Sequence, residues 1–198
     1  MSKGSPNKVI GGVSIDANLE YVSEMLAGVE NGVQRAVLNS FNRALLEGRT
    51  AGIKEVRKKY AIKAGDVRQS FSMHKATTND LNAELWSRGE KVPLRKFRYN
   101  PKTDTTGNKR KQVRVSVLNE GGLKPLGKAF VWKGKVMQRL GETSRPVREV
   151  LAVPVPVMLN NDEVSSAVMD TMQEAYHKRI DHEVNRILNG YEGKSNWR

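Results

Sequence analysis

The 198-residue chain contains no cysteine. Disulfides, thiolate nucleophiles and Cys-ligated zinc or iron–sulfur centres are therefore excluded. Long apolar runs are missing too, since none approaches the roughly 18 residues that a membrane span needs. The first residues, Met1-Ser2-Lys3-Gly4-Ser5-Pro6, lack the apolar centre of a secretory signal, so the expected place of synthesis is a cytoplasm. No GxxxxGK[ST] loop, GxGxxG turn, HExxH helix or GxSxG elbow occurs, so the common phosphate-cradling, metal-hydrolase and serine-hydrolase devices are absent. Negative charge is also scarce. There are 21 Asp and Glu against 34 Lys and Arg, a formal charge of +13 and a pI of about 10.0. A hydrophobic fraction of 38% and a mean hydropathy of −0.58 describe a polar but foldable chain of one-domain size.

The positive excess is concentrated. Residues 84–148 hold 17 Lys and Arg against 5 Asp and Glu, a net +12, while the flanking segments are nearly balanced. A one-sign field of this size attracts a polyanion or an acidic surface; a solvated, protruding loop explains it equally well.

Residues 1–14, with Gly4, Pro6, Gly11 and Gly12, read as a flexible arm. Asp16 is a candidate cap for a short helix over 16–27, on which Leu19, Val22, Met25 and Leu26 recur at helical spacing. Val29, Val33, Val37, Phe41, Ala44 and Leu45 form the stripe of a second, long helix that resumes at Val56 and Tyr60. Lys54, Arg57, Lys58 and Lys59 fall in its last turns, where cations suit the helix dipole. Residues 64–69 can add one helical turn. The period then changes to two: Phe71 and Met73, then Leu81, Ala83 and Leu85, predict a hairpin around a turn at 77–80. Val113, Val115 and Val117 predict a half-buried strand, and Lys133-Gly134 the turn of another hairpin. Val147–Val153 is extended until Pro154 and Pro156 stop it. A last long helix follows, capped by Asn160 or Asn161 with Asp162 and Glu163 in its first turn, and ended by Gly190. The reading is one α+β domain over 15–190. An antiparallel sheet of about 4–6 strands packs against a long helix in the N-terminal half and a long C-terminal helix, and 191–198 form a tail.

Candidate sites are few. His177 and Asp181 lie one helical turn apart, but a divalent ion needs three or four ligands, and Lys178 and Arg179 repel a cation. Asp66, Glu84 and Asp104 match no catalytic spacing. The expectation is a protein without enzyme activity, cofactor or metal. What remains is the basic stretch, with an exposed loop over 99–111. Arg95, Lys96, Arg98, Lys102, Lys109, Arg110 and Lys111 can each neutralise a phosphate, with binding that falls steeply in salt. Phe97 and Tyr99 interleave with them, either to stack on bases or, as the more ordinary reading, to anchor the loop on the sheet. No RNP, KH or helix-turn-helix signature accompanies them, so sequence-blind contact with DNA is the most this stretch predicts.

The run Val131-Trp132-Lys133-Gly134-Lys135-Val136-Met137-Gln138-Arg139-Leu140-Gly141 resembles a strand–turn–strand of the minor tail protein Z family of long-tailed phages. Arg145 to Pro156 (RPVREVLAVPVP) resembles that family's short strand and proline-containing entry into a C-terminal helix, and Asn42-Arg43 fits its long helix. The central basic run departs from relatives with near-continuous arginine, because Asn, Thr and Asp interrupt it here. The resemblance implies a tail-completion protein at the head-proximal end of the tail. Its partners would be copies of itself in a ring of six, tail-tube or terminator proteins, head-side connector proteins and phage DNA in the lumen. The implied location is the virion, after synthesis in the host bacterium's cytoplasm. The resemblance carries over no catalytic residue.

Overall fold

A computed structural model describes residues 9–11, 19–105 and 111–193. Strand β1 (Val9–Gly11) comes first, and helix α1 (Leu19–Met25) leads through a turn at Gly28 into α2 (Gly32–Lys59) and α3 (Ala64–Ser70). Short strands follow: β2 (Phe71–His74), β3 (Glu84–Ser87), β4 (Val92–Pro93), a 3-10 turn at Leu94–Lys96, β5 (Arg98–Asn100), β6 (Arg114–Ser116), β7 (Lys124–Pro125), β8 (Ala129–Trp132), β9 (Lys135–Arg139), β10 (Val147–Glu149) and β11 (Leu151–Ala152). Helices α4 (Val155–Leu159) and α5 (Asp162–Gly193) complete the chain. Among the described residues no helix is long and apolar enough to cross a membrane.

The α/β mixture, the antiparallel pairing and the long C-terminal helix agree with the sequence pattern. The single sheet of 4–6 strands does not form. In its place, among the described residues, are three sheets of three strands (β1–β3–β2, β10–β9–β8, β5–β6–β7) and a pair, β11–β4. Pro93 and Pro125 sit in paired strands, and a proline offers no N–H to carry a ladder onward. Strands of two to five residues cannot build a wide sheet. Two boundaries also move. Val9–Gly11, inside the supposed flexible arm, form β1 beside β3; the rest of the arm and Asp16 lie outside the described residues. Helix α5 runs through Gly190 to Gly193, so the tail begins later than expected; a glycine costs a helix only about 1 kcal/mol.

Within the 15–190 span taken as one domain, the chain divides into two compact units. The strand-rich unit comprises Met1–Val9, Ile53–Ser70 and Ser87–Val164; the helical unit comprises Ile10–Gly52, Phe71–Trp86 and Ser165–Arg198.

In the helical unit, Val22, Leu26, Ala36, Val37 and Ala44 pack with Tyr176, Ile180, Val184 and Ile187 of α5, and Phe41 stacks on Tyr176 at 5.1 Å. Leu45, Leu85 and Met172 form a second cluster with Phe71 and Met73. Strands β2 and β3 are neighbours in one sheet, but the second strand begins at Glu84 and leaves Leu81 exposed outside it, later than the hairpin pattern predicts. Gly48 makes room for Met172: a Cβ there would overlap Met172 Cγ and Sδ. The glycine that weakens the helical pattern in sequence is therefore a packing requirement. Glu183 is fully buried and bridges the helix pair. Its carboxylate accepts from Asn39 Nδ2 at 3.0 Å and faces Arg179 and Arg186 at 2.5 Å each. Burial pushes its pKa up, but the Asn39 hydrogen bond and the two arginines outweigh this and hold it below the ordinary 4.5.

In the strand-rich unit the core is Leu94, Tyr99, Val113, Val131 and Val136. The C-terminal end of α2 is closed from a distance. Asn119 Nδ2 donates to the carbonyls of Arg57 (2.7 Å) and Lys58 (3.0 Å), and Asn119 N–H donates to that of Lys59 (2.9 Å). These are carbonyls that a helix end otherwise leaves unsatisfied.

Candidate functional surface

The expected binding residues do not stay together as one loop. Arg95 is tied to Glu149 at 2.6 Å and Lys96 to Asp66 at 2.5 Å, so both cations are matched by carboxylates. Lys102 Nζ lies 3.4 Å from the centre of the Tyr99 ring, and desolvation, then Lys63, lowers its pKa. Arg98 lies on β5 and Lys111 just before β6; both are exposed. Lys109 and Arg110 lie outside the described residues. The segment 99–111 was expected to be exposed throughout, yet Tyr99 is 8% exposed and Thr105 5%. Thr105 Oγ1 accepts from Val131 N–H at 2.8 Å, and its own N–H donates to the Val131 carbonyl at 3.0 Å, so it pairs along the outer edge of β8. Phe97 and Tyr99 are both buried, which makes them anchors and removes them as base-stacking groups.

Strand register brings a new member to the basic face. Arg98 opposes Ser116, Tyr99 opposes Val115 and Asn100 opposes Arg114. Opposed residues share a face. Tyr99 and Val115 turn to the core, so Arg98 and Arg114 stand on the outer face of β5–β6. Arg114 was legible in the sequence as the polar partner between Val113 and Val115.

A second outer face carries aromatics. Lys133 (φ 48°) and Gly134 (φ 70°) are both left-handed, which a two-residue hairpin of this twist requires, and Trp132 pairs with Lys135 across the turn. Ala129, Val131 and Val136 point to the core. Phe130 and Trp132 therefore share the opposite face with Lys135, Met137 and Arg139; Met137 is buried there, Phe130 and Arg139 are half-buried, and Trp132 and Lys135 are exposed. Trp132 is 43% exposed. Arg139 Cζ lies 4.7 Å from the centre of the Phe130 ring, and Lys133 Nζ 5.0 Å from that of Trp132. Ala129–Trp132 are all apolar, so only the two-residue period of a strand, counted back from the Lys133-Gly134 turn, separates this face from the core face in the sequence.

The helical unit offers a half-open cleft of about 540 Å³ lined by Arg43, Glu47, Glu174, Lys178, Arg179 and His182. Both of its arginines are paired locally, Arg43 with Glu47 and Arg179 with Glu183. His177 sets its ring edge-on to Tyr176 at 5.6 Å. Among the described residues no group of three or more metal-ligating side chains forms. Asp66 and Asp104 belong to the strand-rich unit and Glu84 to the helical one, and Asp66 is occupied by Lys96.

Over the described residues, the strand-rich unit holds 21 Lys and Arg against 9 Asp and Glu, and the helical unit 7 against 11. Net charges of +12 and −4 thus sit on separate parts of one chain. Comparison with protein families, with characterised proteins and with solved structures gives no match.

Proposed function

We propose that the protein is a structural component of a phage tail or neck. It would act at the head-proximal end of the tail, assemble as a ring with copies of itself, and assist head–tail joining and genome positioning. The observation that carries this reading is a run of uncovered aliphatic side chains in, and immediately after, the segment that resembles the tail family. Leu140 (52% exposed), Val147 (37%), Leu151 (48%), Val153 (40%) and Val157 (43%) follow one another in the strand-rich unit. Apolar side chains recurring on one exposed segment are what a subunit contact covers. The opposite signs of the two units support head-to-tail docking, in which different patches meet on neighbouring copies. Such a role needs no catalytic centre. The tail tube, terminator proteins and head-side connector proteins are its partners in this reading, and the virion its location.

Light scattering on purified full-length protein, followed by mixing with tail tubes, tests it. The expected result is a closed oligomer, alone or on the tube, that Leu151→Asp with Val153→Asp abolishes. A wild-type monomer that never binds tubes overturns the reading.

A second reading, sequence-independent nucleic-acid binding, is favoured by the concentration of positive charge in the strand-rich unit. DNA retention over a salt series tests it. A steep decline of affinity with salt is expected, and failure to retain any DNA at low salt overturns it.

A further inference from the structure

We infer that the outer face of β8–β9–β10 is a stacking platform for single-stranded nucleic acid, with Trp132 as its principal contact. The inference rests on the nucleic-acid reading above and assigns it a surface and a strandedness.

The face is built by register. Phe130 and Trp132 lie two residues apart on β8, and Lys135, Met137 and Arg139 alternate beside them on β9. Val147 and Glu149 complete the row on β10. The carboxylates nearby are already engaged, Glu149 by Arg95 and Glu142 by Lys128. Lys133, Lys135 and Arg139 have no carboxylate partner among the described residues. The surface thus presents two aromatic rings, one of them nearly half exposed, and three unneutralised cations within one hairpin. Met137 in the middle of the row is buried and Phe130 is half-buried, so Trp132 is the ring that reaches a base whose face is uncovered, and the exposed Lys133 and Lys135 beside it reach the phosphates on either side. Arg139, whose Cζ lies over the Phe130 ring, adds positive charge beside the indole. A duplex hides its base faces and would use the cations alone. A protein partner fits less well, because lysine is depleted at the centre of protein interfaces and here Lys133 and Lys135 flank the indole.

Fluorescence anisotropy of a labelled oligothymidylate of about 20 nucleotides, titrated with the full chain in a salt series, tests the assignment against a duplex of equal length. Trp132→Ala is expected to weaken single-strand binding by roughly 5- to 150-fold at unchanged salt slope, with Trp132→Phe restoring most of it. Replacing Lys133, Lys135 and Arg139 by Ala is expected to flatten the single-strand slope by about two units. Circular dichroism checks that each variant folds. Unchanged single-strand affinity in Trp132→Ala, with salt-steep binding intact, overturns the platform and leaves the nucleic-acid reading standing. Absence of binding to either nucleic acid at about 50 mM salt overturns both. Loss of self-association or tube binding in Trp132→Ala, with oligothymidylate binding unaffected, assigns the face to a protein partner and overturns the inference.

Discussion

The helical unit and the strand-rich unit balance their charges in different ways. In the helical unit the ion pairs are local: Arg43 with Glu47, Arg179 with Glu183 and Arg186 with Glu183 are three or four residues apart on one helix. The strand-rich unit has one such pair, Lys58 with Glu55, but there Arg95 with Glu149, Lys96 with Asp66 and Lys59 with Glu163 also join segments 30 or more residues apart. These remote pairs tie the 3-10 turn to β10 and to α3, and the end of α2 to the first turn of α5. They consume only a few of the 21 cations and leave a surplus. The stable helix pair and the positive surface are therefore carried by separate parts of the molecule, and substitutions should affect one without the other.

The largest expected effect is on the helix pair. Gly48→Val places atoms where Met172 already lies, and overpacking at such a contact should cost about 2–3 kcal/mol in denaturant unfolding. Its effect on DNA affinity should be absent once the protein is folded; a parallel loss would break the separation. Next comes the positive face. Replacing Arg98, Lys111 and Arg114 by Ala should lower the duplex salt slope by about 2.7 units. Between 50 and 200 mM salt that is about 40-fold in relative affinity. Replacing Arg35, Arg43 and Lys178 of the helical unit should leave the slope where it was.

Glu183→Gln should destabilise the protein by about 1–2 kcal/mol at neutral pH, less than a fully enclosed ion pair, because both arginine partners reach solvent. The pH dependence has a definite sign. The folded-state pKa lies below 4.5, so the stability contributed by ionised Glu183 is complete above that value and is lost as pH falls through the folded pKa. Thermal unfolding from pH 6 to pH 3 should therefore be less pH-sensitive in the Gln variant than in the wild type. The smallest effect belongs to the exposed Arg43–Glu47 pair. Arg43→Ala should change stability by about 0.3–0.5 kcal/mol, near the limit of an unfolding curve.

The two units also differ in how far their sequences disclose them. Helices α2 and α5 were legible because Val37, Ala44 and Leu45, and Val164, Ile180, Val184 and Ile187, repeat at the helical period over many turns. The Lys133-Gly134 hairpin was legible because its turn demands that chemistry. The division into small sheets was not, because the pairing of Val92–Pro93 with Leu151–Ala152 is non-local and leaves no periodic trace. Tyr99 and Thr105 sit in a polar run without alternation, and only the tertiary fold buries them. Of the candidate surface, the cations were visible as a composition bias. Which of them are neutralised depends on remote acids such as Asp66 and Glu149. Trp132 could have been found by continuing the alternation from Val131.

The carboxamide of Asn119 has a kinetic consequence. It completes the last turn of α2 from about 60 positions downstream, so that turn cannot mature while the intervening chain is still searching for its place. Amide protons of Lys58 and Lys59 should thus acquire protection late in refolding, and Asn119→Ala should speed their exchange while the middle of the helix stays slow.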